Sequence, residues 1–192
     1  NPVVEVTCIT RRAEAIYHDC GSGLADALVP DNMAMEGVVY AMTKPVSSAL
    51  ENVHVPFSGR RFHAYLQFRD PRPGEVGDAL LAALAYRRLK AVVAVDEDID
   101  IFDDREMMRA IATRLQWHRD QAVVAGLSEA YLDPSLAPDA ETMTKTALDA
   151  TLPPAPRPGA PKPTAPVNRV GEAAREAAIR ALGGGGGGGA GA

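Results

Sequence analysis

Basic charge, cysteine, tryptophan and long apolar runs are all scarce in this chain of 192 residues. Its net charge is −5 and it has no basic stripe, which argues against a nucleic-acid binder, whose affinity depends on Lys and Arg displacing counterions. No apolar run approaches the ~18 residues that a membrane-spanning helix needs, and no basic stretch followed by an apolar one opens the chain as a secretory leader would. The expectation is a cytoplasmic protein with no membrane partner. Cys8 and Cys20 are the only cysteines and lack metal-site spacing, so they read as free thiols rather than as a disulfide framework. What remains is 46% hydrophobic and 23% charged, the balance of an ordinary globular domain with a sizeable core.

The most informative stretch runs from Ala91 to Asp104. Ala91 to Val95 is apolar and rich in β-branched residues, the pattern of a strand buried on both faces. Asp96, Glu97, Asp98 and Asp100 follow at once, and because carboxylates resist unpaired burial the strand is expected to surface there. Asp103 with Glu106 three residues on predicts a capped helix start, and Met107, Met108, Ile111, Ala112 and Leu115 predict that helix's apolar face. The four acids offer oxygen ligands but lack the glycine and the bidentate glutamate of a calcium loop. Salt bridges to Arg105, Arg109 and Arg114, or a solvated strand end, are the favoured reading.

Elsewhere, Val3 to Thr10 reads as a strand, with Val4, Val6 and Cys8 on one face, and Gly21, Ser22 and Gly23 read as a joint. Pro30 and Asp31 read as a helix start capped by Asp31, with Met35, Val38, Val39 and Met42 at helical spacing and Pro45 beyond the end. Asn52 to Phe57 and Arg61 to Phe68 read as a hairpin about Ser58, Gly59 and Arg60. Glu75 to about Tyr86 reads as a helix with Val76, Leu80, Leu81 and Leu84 inward, and Gln121 to Val124 as a last short strand. Strand, helix, strand around Glu75 to Val95 makes a parallel crossover unit. Beyond Thr151 seven prolines lie between Pro153 and Pro166, predicting an extended linker over 152–167. Residues 168–182 predict a helix capped by Asn168, and 183–192 a glycine-rich disordered tail. The fold class is α/β: a single domain over residues 1–151, with helices packed on a mixed sheet, then linker, helix and tail.

Among candidate sites, His54 and His63 fall on the two arms of the hairpin and are placed to face each other, but a third metal ligand is missing, so hydrogen-bonded histidines are favoured. Ser58, Gly59, Arg60 and Arg61 have the composition to grip a phosphate through amides and guanidinium groups, with a plain hairpin turn as the favoured reading.

Five segments, in order, carry a resemblance: residues 3–19, the start at Pro30 to Glu36, Ser58 to Phe68, the acidic stretch on to Asp120, and Thr144 and Lys145 leading to Thr151. Together they resemble the carboxy-terminal domain of the UbiD family of decarboxylases, which use prenylated flavin mononucleotide. In that family the flavin, its divalent metal and a Glu-Arg-Glu catalytic set sit in an amino-terminal domain, and no residue here matches them. The resemblance therefore implies no catalytic and no metal-binding residue in this chain, and no tight hold on the flavin by this chain alone.

What the resemblance does imply is the carboxy-terminal subunit or domain of a carboxy-lyase. Such a unit contributes active-site closure, substrate shape and oligomer contacts to the decarboxylation of an aromatic or α,β-unsaturated acid. It also implies a catalytic amino-terminal partner and a homo-oligomer. A lid-like loop would correspond to Leu127 to Pro134, with Ala130 and Leu132 at substrate-facing places, and Lys145 matches a basic residue common in the family. A flavin-phosphate lysine known from some members, on the helix before the acidic strand, is unmatched: Leu84 or a neighbour stands there. The alternative is a non-catalytic assembly or regulatory module that keeps the fold.

Overall fold

The computed structural model describes residues 3–21, 23–130, 132–153 and 171–183. The chain divides into two units, residues 1–152 and 153–192.

Ala91–Asp96 forms the middle strand of the first unit. In chain order the elements are α1 (Ala25–Thr43), β1 (Leu50–His54), β2 (His63–Phe68), α2 (Glu75–Leu84), β3 (Ala91–Asp96), α3 (Asp104–Arg114), β4 (Gln121–Ser128) and β5 (Thr142–Asp149). The five strands form one sheet in the order β1-β2-β3-β5-β4. The outer pairs β1/β2 and β4/β5 are antiparallel, while β2/β3 and β3/β5 are parallel, so the sheet is mixed with a parallel centre.

Val92, Val93, Ala94 and Val95 are all buried because both faces of β3 are covered. On one face α1 and α2 bring Met35, Val39, Val76, Leu80 and Leu84 onto Leu66, Phe68, Val92 and Ala94. On the other, α3 sets Met107 and Ala110 against Tyr65, Val93, Val95 and Leu148. Burying a Leu or Phe in such a layer contributes on the order of 1.5–3 kcal/mol.

Several expected features are displaced. Val3 to Thr10 forms no strand: residues 3–21 are exposed and join none of the five strands of the sheet, and a strand exists only against a neighbour's amides and carbonyls. Helix α1 starts at Ala25 and carries Pro30 inside it, so Asp31 is no cap. Its carboxylate is drawn instead to two arginines. In α3 Asp103 caps as expected, accepting from the Arg105 amide at 2.8 Å, but Met108 is exposed and Ala110 is buried in its place. Val38 and Leu81 also face outward. Asp96 does not surface: it is 2% exposed, accepts a hydrogen bond from the Leu152 amide and lies 3.7 Å from Arg114, which also holds Asp98. The pairing is what permits the burial. Strand β5, with its short polar side chains at Thr142, Thr144 and Thr146, has no counterpart among the elements expected from the sequence.

In the second unit α4 spans Glu172–Gly183, with a 3.6 Å ion pair between Arg180 and Glu176. Asn168, the proline-rich linker, the glycine tail after Gly183, and Ser22 in the joint lie outside the described residues.

Glu75 fastens the start of α2. It accepts from the Arg72 amide at 2.9 Å, the Ala49 amide at 3.2 Å and the hydroxyls of Ser47 at 3.0 Å and Ser48 at 3.3 Å. These donors, the Arg72 amide foremost, lower its pKa from 4.5 to about 2. A carboxyl depressed in the folded state stabilises above its unfolded pKa and loses that contribution as pH falls toward the folded value. The wild type should therefore lose melting temperature between pH 4.5 and about 2 more steeply than Glu75→Gln, and parallel acid titrations of the two proteins by circular dichroism would show equal slopes if this network contributes nothing.

Candidate functional site

Where the hairpin turn feeds β2, Arg60 and Arg61 adopt φ of 50° and 75°, two successive non-glycine residues in the left-handed region. Such conformations persist only where the surroundings impose them. Here they turn Arg61 toward α1, and its Nη1 donates to Asp31 Oδ2 at 2.8 Å. Arg88, in the segment between α2 and β3, donates from Nη1 to both oxygens of the same carboxylate, at 2.9 and 3.1 Å. The two guanidinium groups, Arg61 first, hold the Asp31 carboxyl below its usual pKa.

The two arginines border a shallow apolar pocket lined by Arg61, Phe62, Arg88, Ala130 and Leu132, with about 20 Å³ of enclosed space. Ala130 is 3% exposed and Leu132 is 53% exposed. Both come from the segment after β4, which begins later than the expected loop because Leu127 and Ser128 belong to the strand and Leu127 packs against the core. Tyr131 lies outside the described residues.

The segment is tied to the α2–β3 junction. Lys90 Nζ donates to Asp133 Oδ2 at 2.8 Å and to the Ser135 hydroxyl at 2.6 Å, and Arg87 Nε donates to the Glu129 carbonyl at 2.9 Å. Burial works against the charge on Asp133, yet Lys90 and Ser135 outweigh it and its pKa is lowered.

Lys145 is not brought to this pocket. It is 1% exposed, and its ammonium lies under the carboxy-terminal end of α2, donating to the carbonyls of Leu84 (3.0 Å), Tyr86 (2.8 Å) and Arg87 (3.2 Å). The Leu84 carbonyl closes α2, whose end carries partial negative charge, and the Tyr86 carbonyl accepts from the Leu89 amide as well, at 3.1 Å. Desolvation pulls the lysine pKa below its ordinary value, while three acceptors match the three donors of an ammonium.

The two hairpin histidines do not face each other: Tyr65 is the partner of His54 in the sheet and Ala91 that of His63. His54 Nδ1 lies 2.7 Å from Glu36 Oε1 and its ring packs on Phe102, at the wall of a separate cavity of about 230 Å³. Of the arginines expected on the acidic stretch, Arg114 pairs with Asp98 and Asp96, whereas Arg109 turns to Glu106 on its own helix. Among the described residues no cluster of three or more His, Cys, Asp or Glu could hold a metal ion. No described helix is long and apolar enough to cross a membrane.

Residues 32–150 match the family described as the 3-octaprenyl-4-hydroxybenzoate carboxy-lyase C-terminal domain, known as UbiD_C. The chain is 36% identical over 157 residues to the anhydromevalonate phosphate decarboxylase of Methanosarcina mazei, covering 78% of this chain and 36% of that protein. It is 27% identical over 165 residues to the gallate decarboxylase of Lactiplantibacillus plantarum, covering 79% and 34%. Among solved structures it resembles the UbiD-class enzyme HmfF from Pelotomaculum thermopropionicum in complex with FMN, at a TM-score of 0.64 and 31% identity over 73% of this chain and 32% of that one. The chain thus spans about a third of the length of the curated relatives it matches.

Replacing Lys145 by Met should take the ammonium donor from the Leu84 and Arg87 carbonyls, while the Tyr86 carbonyl keeps the Leu89 amide, at a cost of about 2–4 kcal/mol. Denaturant unfolding of the two proteins measures this, and a loss within experimental scatter would show that water or neighbouring groups replace the ammonium.

Proposed function

This chain belongs to the UbiD family through its carboxy-terminal domain, and from that premise we propose that it is the carboxy-terminal part of a UbiD-like carboxy-lyase. In this reading it works with a catalytic amino-terminal subunit or domain in the reversible, non-oxidative decarboxylation of an aromatic or α,β-unsaturated acid. Its own share is active-site closure, substrate shape and assembly, including homo-oligomer contacts. The single observation that carries the reading is the match over residues 32–150, which takes in all five strands, α2, α3 and the greater part of α1.

Prenylated FMN would supply an electron sink for the departing carboxylate in the complete enzyme. The pocket beside Ala130 and Leu132 does not fit a flavin by itself: about 20 Å³ holds little more than a water molecule, whereas cofactor sites enclose roughly 300–1,000 Å³. In the proposed enzyme the flavin is therefore gripped by the amino-terminal part. The work of this chain's residues is to shape and dry the space above it. Phe62, Ala130 and Leu132 present apolar surface to a substrate, and Lys90 and Arg87 keep the 129–135 segment in place. Lys145 acts one step further back, fixing the junction from which Arg87, Arg88 and Lys90 project.

The test uses reconstituted prenylated FMN with this chain alone, with a polypeptide carrying the amino-terminal two thirds of a close relative, and with both. After desalting, flavin absorbance should stay with the pair and not with the lone chain, and CO₂ release from cinnamate or protocatechuate should require both. Stoichiometric flavin on the lone chain, or a pair that assembles and holds flavin without decarboxylating any acid of these classes, would overturn the reading.

A further inference from the structure

We propose that the cavity of about 230 Å³ between α1, the end of β1 and the loop before α3 is a seat for a small organic cation, a guanidinium or primary ammonium group on a short apolar stem. The inference goes beyond the decarboxylase reading and does not rest on it.

The polar side chains that line this cavity have spent their donors and kept acceptors. Asn32, 4% exposed, donates from Nδ2 to the Val55 carbonyl at 3.0 Å, and its Oδ1 is buried without a hydrogen-bond partner. Buried oxygens are seldom left so, because an unmatched one loses its hydration with nothing in return. His54 spends Nδ1 on Glu36 Oε1 at 2.7 Å, donating because a carboxylate only accepts. The Val55 amide goes to the same oxygen at 2.9 Å, which leaves Glu36 Oε2 without a partner among the described residues. Asp104, in the first turn of α3, adds a second carboxylate, which also meets the Tyr65 hydroxyl. None of the lining residues is Lys or Arg, and His54 is already held by Glu36, so the lining is acidic. Arg60 lies over the Phe57 ring, 5.2 Å from its centroid, with its Nη1 turned to the Gly23 carbonyl.

The walls define the rest of the ligand. Val29, Met33 and Phe102 are exposed and bring no hydrogen-bond donor, which suits an apolar stem. Phe102 packs on His54 with 4.7 Å between ring centroids, and the face of such a ring attracts a cation. About 230 Å³ is several times the ~30 Å³ share of one water and less than the roughly 300–1,000 Å³ of drug-sized sites, so the occupant is a small molecule or a single side chain. Glu36, His54 and Asp104 are not gathered into a cluster that could hold a metal ion. An anion would meet two carboxylates, and a molecule without donors would leave their oxygens unmatched, whereas a guanidinium or ammonium group carries donors and positive charge together.

The experiment titrates the full-length chain, without flavin, with n-propylguanidinium, n-propylammonium and butyrate, following side-chain NMR shifts. At least one of the cations should move the resonances of Met33, His54 and Phe102, and butyrate should bind at least about tenfold more weakly. Glu36→Gln, which keeps an acceptor for the Val55 amide, and Asp104→Asn should each weaken the cation about tenfold. Glu51→Gln, which removes an acid paired with Arg69 outside the cavity, should leave it unchanged. Should Glu36→Gln fail to fold, Asp104→Asn decides alone. Adding the amino-terminal polypeptide separates two sources of the cation: loss of the probe on assembly assigns the seat to a Lys or Arg side chain of that polypeptide, and retention assigns it to a free molecule. Because the titrations of the lone chain involve no turnover, their outcome is independent of whether the reconstituted pair decarboxylates. No shift at these residues up to solubility, butyrate binding as tightly as the cations, an equal loss in Glu51→Gln, or cation binding unchanged in every folded cavity variant would overturn the proposal.

Discussion

The Lys145 ammonium beneath the end of α2 is the constraint on which the rest of the candidate site depends. It draws three carbonyls, of Leu84, Tyr86 and Arg87, to one point, and so fixes the short junction that carries the chain from α2 into β3. Arg87, Arg88 and Lys90 all project from that junction: Arg87 and Lys90 reach Glu129 and Asp133 in the segment after β4, and Arg88 reaches Asp31 in α1. A charge buried in β5 thereby sets where three basic side chains reach the opposite wall. One desolvated cation serves the Leu84 and Arg87 carbonyls and shares the Tyr86 carbonyl with the Leu89 amide.

The architecture separates scaffold from surface. Both faces of β3 are dry, which makes the sheet rigid, and the pocket residues stand at the margin of that rigid body rather than in it. Leu132 is half-exposed and Ala130 is buried, so one shapes the opening and the other its floor. Lys90 and Asp133 pin the segment between them, and the charge on Asp133 is favoured despite its burial. In the proposed enzyme such a surface orients a molecule lying against it. This fits a domain whose relatives are about three times its length and are decarboxylases.

The sequence revealed the middle of the fold better than its margins. Ala91 to Val95 announced a doubly buried strand because the run is uninterrupted and β-branched, and Asp103 announced α3 because capping is a local interaction. The unpaired Val3 to Thr10 segment shows the limit of alternation: the pattern states which residues share a face, while pairing depends on a neighbour elsewhere. Strand β5 was hidden because Thr142, Thr144 and Thr146 dilute its apolar signal and a lysine sits at a core position. Ala130, Leu132 and Lys145 were singled out only through family resemblance, and the structure sets Lys145 under the end of α2, apart from the other two. The convergence of Asp31, Arg61 and Arg88 had no sequence signal, since the residues are 30 and 57 positions apart from Asp31 and each reads locally as a cap or a solvated charge.

The central claim is that this chain shapes the substrate space of a decarboxylase, and Leu132 tests it most directly. In the assembled enzyme, relative rates for a series of unsaturated acids of graded size should be compared between the wild type and Leu132→Ala. The expected result is a change in selectivity on the order of 10–200-fold per methylene-scale difference, with little loss of stability because the side chain is 53% exposed. Unchanged relative rates accompanied by a loss of about 2–5 kcal/mol in stability, the signature of a core leucine, would contradict the account.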